Sequence, residues 1–316
     1  MSFQAVTSEA PGKVILFGEH AVVYGSPAIG FPLGRTISVE VRPGDGHISL
    51  TTSDDVEVPA PKNAASPREL IEQALGPWFA KADVDVHFGF PPMSGFGSSA
   101  ALAVALHRAR SELENRDSHD PELTLKRIIN VERVAHSKPS GVDPAICLSE
   151  GMIQFHREHG RGKPEIRSVL PAKALFFLVG TAGSHGGTRQ SVNRVAEMKK
   201  KSPSLVKAAM DVLGEAAIVG AKGIRKGELD AIGDSMNLAH GVLSGLGLVG
   251  SDVERAVQLT RHGGALGSKM SGAGGEGGAF IALFPSRKAA EAARAELGLA
   301  SIAGWVERVA PSTAGG

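Results

Sequence analysis

The sequence predicts a mixed architecture, α/β or α+β, folded as two domains. Three observations carry this. The chain has 316 residues, against roughly 150 per domain in ordinary proteins. Short apolar or alternating segments read as strands, and they interleave with longer segments of helical period. No stretch repeats at a fixed spacing, so the elements form one mixed fold rather than an array.

Taken in order, Val14-Ile15-Leu16-Phe17 follows Pro11-Gly12 and reads as a buried strand opened by Lys13. Ile37, Val39 and Val41 alternate with polar residues in a second strand, which His47 to Thr52 continues after the turn Pro43-Gly44-Asp45-Gly46. Thr52 to Pro67 is polar and proline-bearing, a surface loop, and Leu70, Ile71 and Leu75 then take helical spacing. Val84, Val86 and Phe88 make a strand ended by Pro91-Pro92, which cannot donate ladder hydrogen bonds. The loop Met93-Ser94-Gly95-Phe96-Gly97-Ser98-Ser99 runs into the apolar helix Ala100–Leu106. A further helix covers Leu123 to Ala135 and is broken at Lys138-Pro139-Ser140-Gly141. The second half begins with the apolar run Ala174 to Val179. Helical patterns follow near 190–200, 204–220, 228–243 and 251–262, then a strand over Ala279–Phe284 and a helix over Ala289–Leu297.

Lys and Arg number 34 against 33 Asp and Glu. No global basic field therefore advertises nucleic acid. A lone cysteine, Cys147, excludes an internal disulfide framework and any multi-cysteine zinc or iron–sulfur site, and suits a reducing cytoplasm. The longest apolar run, Ala100–Leu106, is far below the roughly 18 residues of a membrane span. Met1 to Glu19 shows no signal-peptide core. The expectation is a cytoplasmic protein with neither membrane nor nucleic-acid partner, with homodimer formation left open. Glycine, at 40 residues, exceeds the usual share of about 7% and clusters in short runs suited to binding loops.

Four places can carry chemistry. Gly95-Phe96-Gly97-Ser98-Ser99 lies between a strand and a helix, where glycines let a ligand approach and a helix start binds anions. The same pattern also suits a simple helix-capping turn, and it fits neither the Walker A nor the Rossmann spacing. Ser271 to Gly278 is a second glycine-rich loop, dense enough to suggest close packing against a ligand or another loop, or else a flexible hairpin. Glu132 on a helix and Asp143 on a tight turn could hold Mg²⁺ and activate a hydroxyl, or sit on a solvated surface. Lys13, with Glu19-His20 beyond it, could pair with a carboxylate inside a site or stand as a surface cation. The 11 histidines show no zinc-protease spacing, and Lys199-Lys200-Lys201 reads as a solvated helix end.

Together these segments resemble a known family. The ordered stretches Pro11 to Gly25, Pro91 to Ala101, His136 to Asp143 and Lys269 to Gly278 are similar to the motifs of the mevalonate kinases. Those enzymes belong to the galactokinase, homoserine kinase, mevalonate kinase and phosphomevalonate kinase superfamily. The resemblance implies an α+β two-domain fold: a ribosomal-protein-S5-like N-terminal domain over residues 1–172, binding ATP, and a ferredoxin-like C-terminal domain over 173–316 completing the cleft. It implies transfer of the ATP γ-phosphoryl group to the 5-hydroxyl of mevalonate. Met93, Ser94, Gly95, Phe96, Gly97, Ser98 and Ser99 would wrap the phosphates, with Gly272, Ala273 and Gly274 beside them. Ser99 and Glu132 would hold Mg²⁺. Asp143 would act as base or orienter, Lys13 as charge stabiliser, and His20, Glu19 and Thr188 would meet the substrate. The chain departs from the family pattern at Phe96 (usually leucine), at Ser137 (usually glycine) and at Glu276, which would repel phosphate unless turned outward. A sibling kinase acting on phosphomevalonate or a sugar, and a non-catalytic sensor of the same fold, are the alternatives.

Overall fold

The computed structural model describes residues 3–53, 67–116, 120–134, 139–158, 162–183 and 188–311, without the side chains of Thr188 and Arg189. The chain forms two compact units, one of Met1–Lys13 with Pro32–Ser149, the other of Val14–Phe31 with Glu150–Gly316. Both are discontinuous in sequence. Two of the three crossings lie inside the long strands β1 (Val6–Phe17) and β2 (Ala28–Pro43), and the third follows Ser149.

In the first unit, Ile37–Pro43 of β2 pair antiparallel with β4 (Ala82–Phe88), and β4 pairs in parallel with β3 (Ile48–Thr52). His47 to Thr52, expected to continue the second strand after the turn, instead forms a separate strand, β3, beside β4. A parallel pair needs a crossover, supplied in part by α1 (Pro67–Leu75) and the 3-10 turn Gly76–Lys81. Alternation places Ile37, Val39, Val41, Val84, Val86 and Phe88 on the buried side. Helix α2 (Ser98–Leu113) is buried over the whole of its apolar run Ala100–Leu106, as expected of a helix apolar on all faces. In α3 (Pro121–Glu132) the Asp120 side chain accepts from the N–H groups of Glu122 and Leu123, and Pro121 begins the helix. Asp143, expected on a tight turn, lies instead in the first turn of α4 (Val142–Leu148), which Gly141 opens at φ 86°.

Lys13 does not open a strand, because β1 already begins at Val6. The Pro11-Gly12 pair, expected to precede the strand, is strand backbone here. β1 has β2 as its strand neighbour, and proline is tolerated on an edge strand because it withholds only an unused donor. A Cβ at Gly12 would stand 2.8 Å from the Phe90 ring, which explains glycine at that position.

The second unit holds an antiparallel sheet ordered β10 (Ala303–Val309), β7 (Leu175–Ala182), β9 (Gly278–Phe284), β8 (Gly267–Ser271). Packed with it are α5 (Thr188–Lys201), α6 (Pro203–Lys226), α7 (Leu229–Gly245), α8 (Ser251–His262) and α9 (Arg287–Leu299). Their shared core includes Leu213, Leu243, Val257, Met270 and Phe280. Ala28–Gly30 of β2 pair with β5 (Ile153–His156), which pairs with the exposed β6 (Glu165–Ser168). Among the described residues no helix is long and apolar enough to cross a membrane.

Candidate active site

The first unit gathers one group of polar residues at the opening of α2. Lys13 is buried to 3% exposure, and its ammonium donates to the Gly95 carbonyl at 3.1 Å and faces the Asp143 carboxylate at 3.3 Å. Its backbone N–H donates to the Phe96 carbonyl at 2.9 Å, so strand and loop are tied twice. Gly97, in the left-handed region at φ 74°, leaves room for this: a Cβ there would lie 2.7 Å from Lys13 Cε and Cγ. The Met93 N–H donates to Ser98 Oγ at 3.1 Å, and the Ser94 hydroxyl donates to the Pro91 carbonyl, which closes the loop on itself. Phe96 turns its ring into the core against Phe90, centroids 6.4 Å apart and near perpendicular. The leucine-to-phenylalanine departure is therefore a packing change.

Helix α2 begins without a capping side chain and without an acidic residue in its first turn. Its positive end is left for an anion. Beside it, Ser99 Oγ donates to Glu132 Oε1 at 3.3 Å. Glu132 is 2% exposed. Burial above all, then the Asp143 charge, push its carboxyl up to about 8, while the Ser99 hydrogen bond and Lys13 act the other way. Lys13, Ser99, Glu132 and Asp143, drawn from four segments, are therefore one cluster. Burial also pushes the Cys147 thiol well up, consistent with a structural cysteine.

A consequence for stability follows from Glu132. Folded and unfolded chains differ in its protonation between 4.5 and about 8. In that window the folded protein holds a proton that the unfolded chain has released. The stabilisation is full below the lower value and is lost as pH rises through the upper one. The metal-free protein should lose thermal stability across this window, and Glu132→Gln should flatten the loss. Equal slopes for the two proteins in a melting series would contradict this assignment.

The second unit gathers another group around the turn after β1. Gly18 (φ 88°) packs onto the Pro27 carbonyl, where a side chain has no space. Glu19, 2% exposed, is ion-paired with the fully buried Lys269. His20, in the left-handed region at φ 59°, lies 2.9 Å from the Ala273 carbonyl through Nε2. Burial chiefly holds its pKa below the usual value, opposed by that hydrogen bond and by Glu19. The ring is neutral, with Nε2–H donating to the carbonyl and Nδ1 left as acceptor. The glycine loop is pinned in turn: Ser191 Oγ donates to the Gly274 carbonyl at 3.0 Å, and the Gly275 N–H to Leu248 at 2.9 Å. Gly272 and Gly274 both have positive φ, at 87° and 76°. Glu276 is exposed. Thr188 begins α5, but its side chain, like His136 and Ser137, lies outside the described residues.

Lys269, Ser271 and Ser191 are polar members of this group to which the sequence assigned no role. Lys269 and Ser271 stand two apart ahead of the glycine run. Two buried polar residues at strand spacing in front of a loop are the signal that could have found them.

Residues 62–151 match the GHMP kinases N terminal domain, and residues 221–301 match GHMP kinases C terminal. The mevalonate kinase of Aeropyrum pernix is 34% identical over 301 residues, covering 89% of each chain. That of Pyrococcus horikoshii is 31% identical over 309 residues, covering 90% of each. The crystal structure of L. major mevalonate kinase in complex with R-mevalonate superposes with a TM-score of 0.81 at 27% identity, covering 99% of this chain and 100% of that one. Agreement of this extent in both sequence and fold makes the chain a kinase of the GHMP kinase family, alongside the mevalonate kinases.

Proposed function

We propose that the protein transfers the γ-phosphoryl group of ATP to the 5-hydroxyl of mevalonate, yielding 5-phosphomevalonate and ADP. The observation that carries this reading is the buried Lys13 ammonium facing the half-buried Asp143 carboxylate beside the open start of α2. A phosphoryl transition state spreads charge over its oxygens, so catalysis is largely positioning and charge stabilisation. The loop Met93–Ser99 and the start of α2 receive the phosphates. Asp143 orients the hydroxyl and accepts its proton as the oxygen forms a bond to phosphorus, and the bond to the ADP oxygen breaks. The Lys13 ammonium draws the transferring group's charge and fixes the Asp143 carboxylate. Glu19, His20 and Thr188 contact mevalonate, and Gly272, Ala273 and Gly274 serve the nucleotide.

Ser99 and Glu132 offer a hydroxyl and a carboxylate oxygen, a donor set suited to a hard cation that keeps phosphate and water as its other ligands. When bound, Mg²⁺ neutralises phosphate charge. Ser99→Ala removes one donor and should raise the Mg²⁺ concentration for half-maximal rate about 10-fold, the loss of one hydrogen-bond-strength contact to a charged group. Unchanged magnesium dependence would count against Ser99 as a ligand.

An ADP-release assay with mevalonate, phosphomevalonate and galactose tests the substrate. The expected result is turnover with mevalonate alone. Turnover with either of the others and none with mevalonate would favour a sibling kinase, and no ADP with any would favour a ligand sensor.

A further inference from the structure

The alternate residues Lys269, Ser271 and Ala273 all reach the end of β1 and its turn. Lys269 pairs with the Glu19 carboxylate, Ser271 Oγ both accepts from the Ile15 N–H at 3.1 Å and donates to the Ile15 carbonyl at 2.9 Å, and the Ala273 carbonyl accepts from His20. Alternate residues of a strand share one face, so Lys269 and Ser271 approach from one side of β8, and with the Ala273 carbonyl in the loop that follows they hold the chain at Glu19, Ile15 and His20. The middle link, Ser271, is enough to hold backbone to backbone. The outer link is a buried ion pair, which costs desolvation on both sides and is seldom justified by stability alone.

The charges are unevenly satisfied. The Lys269 ammonium donates to Glu19 Oε1 and to the Met270 carbonyl at 2.7 Å. Glu19 Oε2 is buried and has no hydrogen-bond partner among the described residues. A buried carboxylate oxygen left without a hydrogen-bond partner beside a paired one awaits a donor.

We infer that Lys269 is a positioning residue for the phosphoryl acceptor: it fixes Glu19 as a carboxylate with one oxygen reserved for a hydroxyl or other donor of the substrate. This rests on the proposed mevalonate phosphorylation. The titratable groups in electrostatic reach of the pair are His20 on the turn, which feels Glu19, and His240 on α7, which feels Lys269 and also Glu254 and Arg261 on α8. The Met270 N–H donates to His240 Nδ1 at 3.3 Å, and His240 Nε2 lies 3.1 Å from Glu254. With Nδ1 accepting, His240 is a neutral donor to Glu254 and brings no charge to Glu19. Glu254 and Arg261 are of opposite sign, which leaves Lys269 as the counter-charge to Glu19.

The test compares wild type, Glu19→Gln, Lys269→Met and the double variant in the full chain, reading kcat, both KM values and melting temperature across pH. In Lys269→Met the buried carboxylate has lost its counter-charge, and burial favours the neutral acid. The mevalonate KM should rise about 10-fold or more, the value of a hydrogen bond to a charged group, with the ATP KM within about 2-fold. It should recover as pH is raised and Glu19 ionises. The double variant is a neutral pair and should melt near wild type yet keep the raised mevalonate KM at every pH. A merely structural pair predicts the reverse, with kinetics restored along with stability in the double variant. That restoration, or a Lys269→Met enzyme with wild-type mevalonate KM throughout, would overturn the inference. If Lys269→Met fails to fold, the double variant against Glu19→Gln decides: equal mevalonate KM values support it, and a wild-type KM in the double variant overturns it. Absence of mevalonate turnover by wild type would overturn the functional reading and this inference with it.

Discussion

Asp143→Asn is expected to lower kcat by roughly 10²–10⁴-fold, the range spanned by loss of a positioned acid–base group. The mevalonate KM should change only a few-fold. Asparagine preserves the side-chain shape and can still face Lys13, but its amide oxygen cannot take up the hydroxyl proton at neutral pH. The loss therefore falls on the transition state rather than on ground-state binding. Stability should hold, because Asp143 is 35% exposed and its partner keeps the Gly95 carbonyl as a second acceptor. Steady-state kinetics with both substrates saturated checks this, and near-normal turnover would remove Asp143 from the assigned role.

The second large effect is Lys13→Met. Methionine fills nearly the same volume beneath Gly97, so the loop keeps its support, but the ammonium is gone. Removing one preorganised charge that faces the transferring group should reduce kcat by about 10²–10³-fold. The Gly95 carbonyl also loses its donor, at a stability cost of about 1–3 kcal/mol. Assays well below the melting midpoint separate the two. Because Lys13 and Asp143 act as one unit, the double variant with Asp143→Asn should be little slower than the worse single variant. Full additivity would mean the two side chains serve different steps.

How much of this was legible in the sequence depends on what each element uses to hold itself. Strands and helices with a clear apolar period, such as Val84–Phe88, Ala100–Leu106 and the four helices between residues 188 and 262, stand where their patterns put them. β8 was missed because Gly267-Ser268-Lys269-Met270-Ser271 has no apolar alternation. All five residues are buried, but the polar ones are satisfied by partners distant in sequence, such as Glu19 and Ile15. β6 was missed for the opposite reason, being exposed along its length. α4 starts from a glycine with positive φ rather than a serine or aspartate cap, so its beginning read as a turn. The glycine-serine loop and Lys13 were visible as chemistry-bearing residues, yet nothing local joined Lys13 to Asp143. That pairing is long-range, between the first strand and the start of α4. Glu276, whose charge sits poorly with a phosphate neighbour, is exposed to solvent.

Phosphorus NMR of the reaction mixture reaches the central claim most directly. With ATP, Mg²⁺ and mevalonate, the account predicts a single new phosphomonoester resonance, coupled to the methylene protons next to the acceptor oxygen and growing in step with ADP. ADP accompanied only by inorganic phosphate, or a phosphoryl group found on any other oxygen of the acceptor, would contradict it.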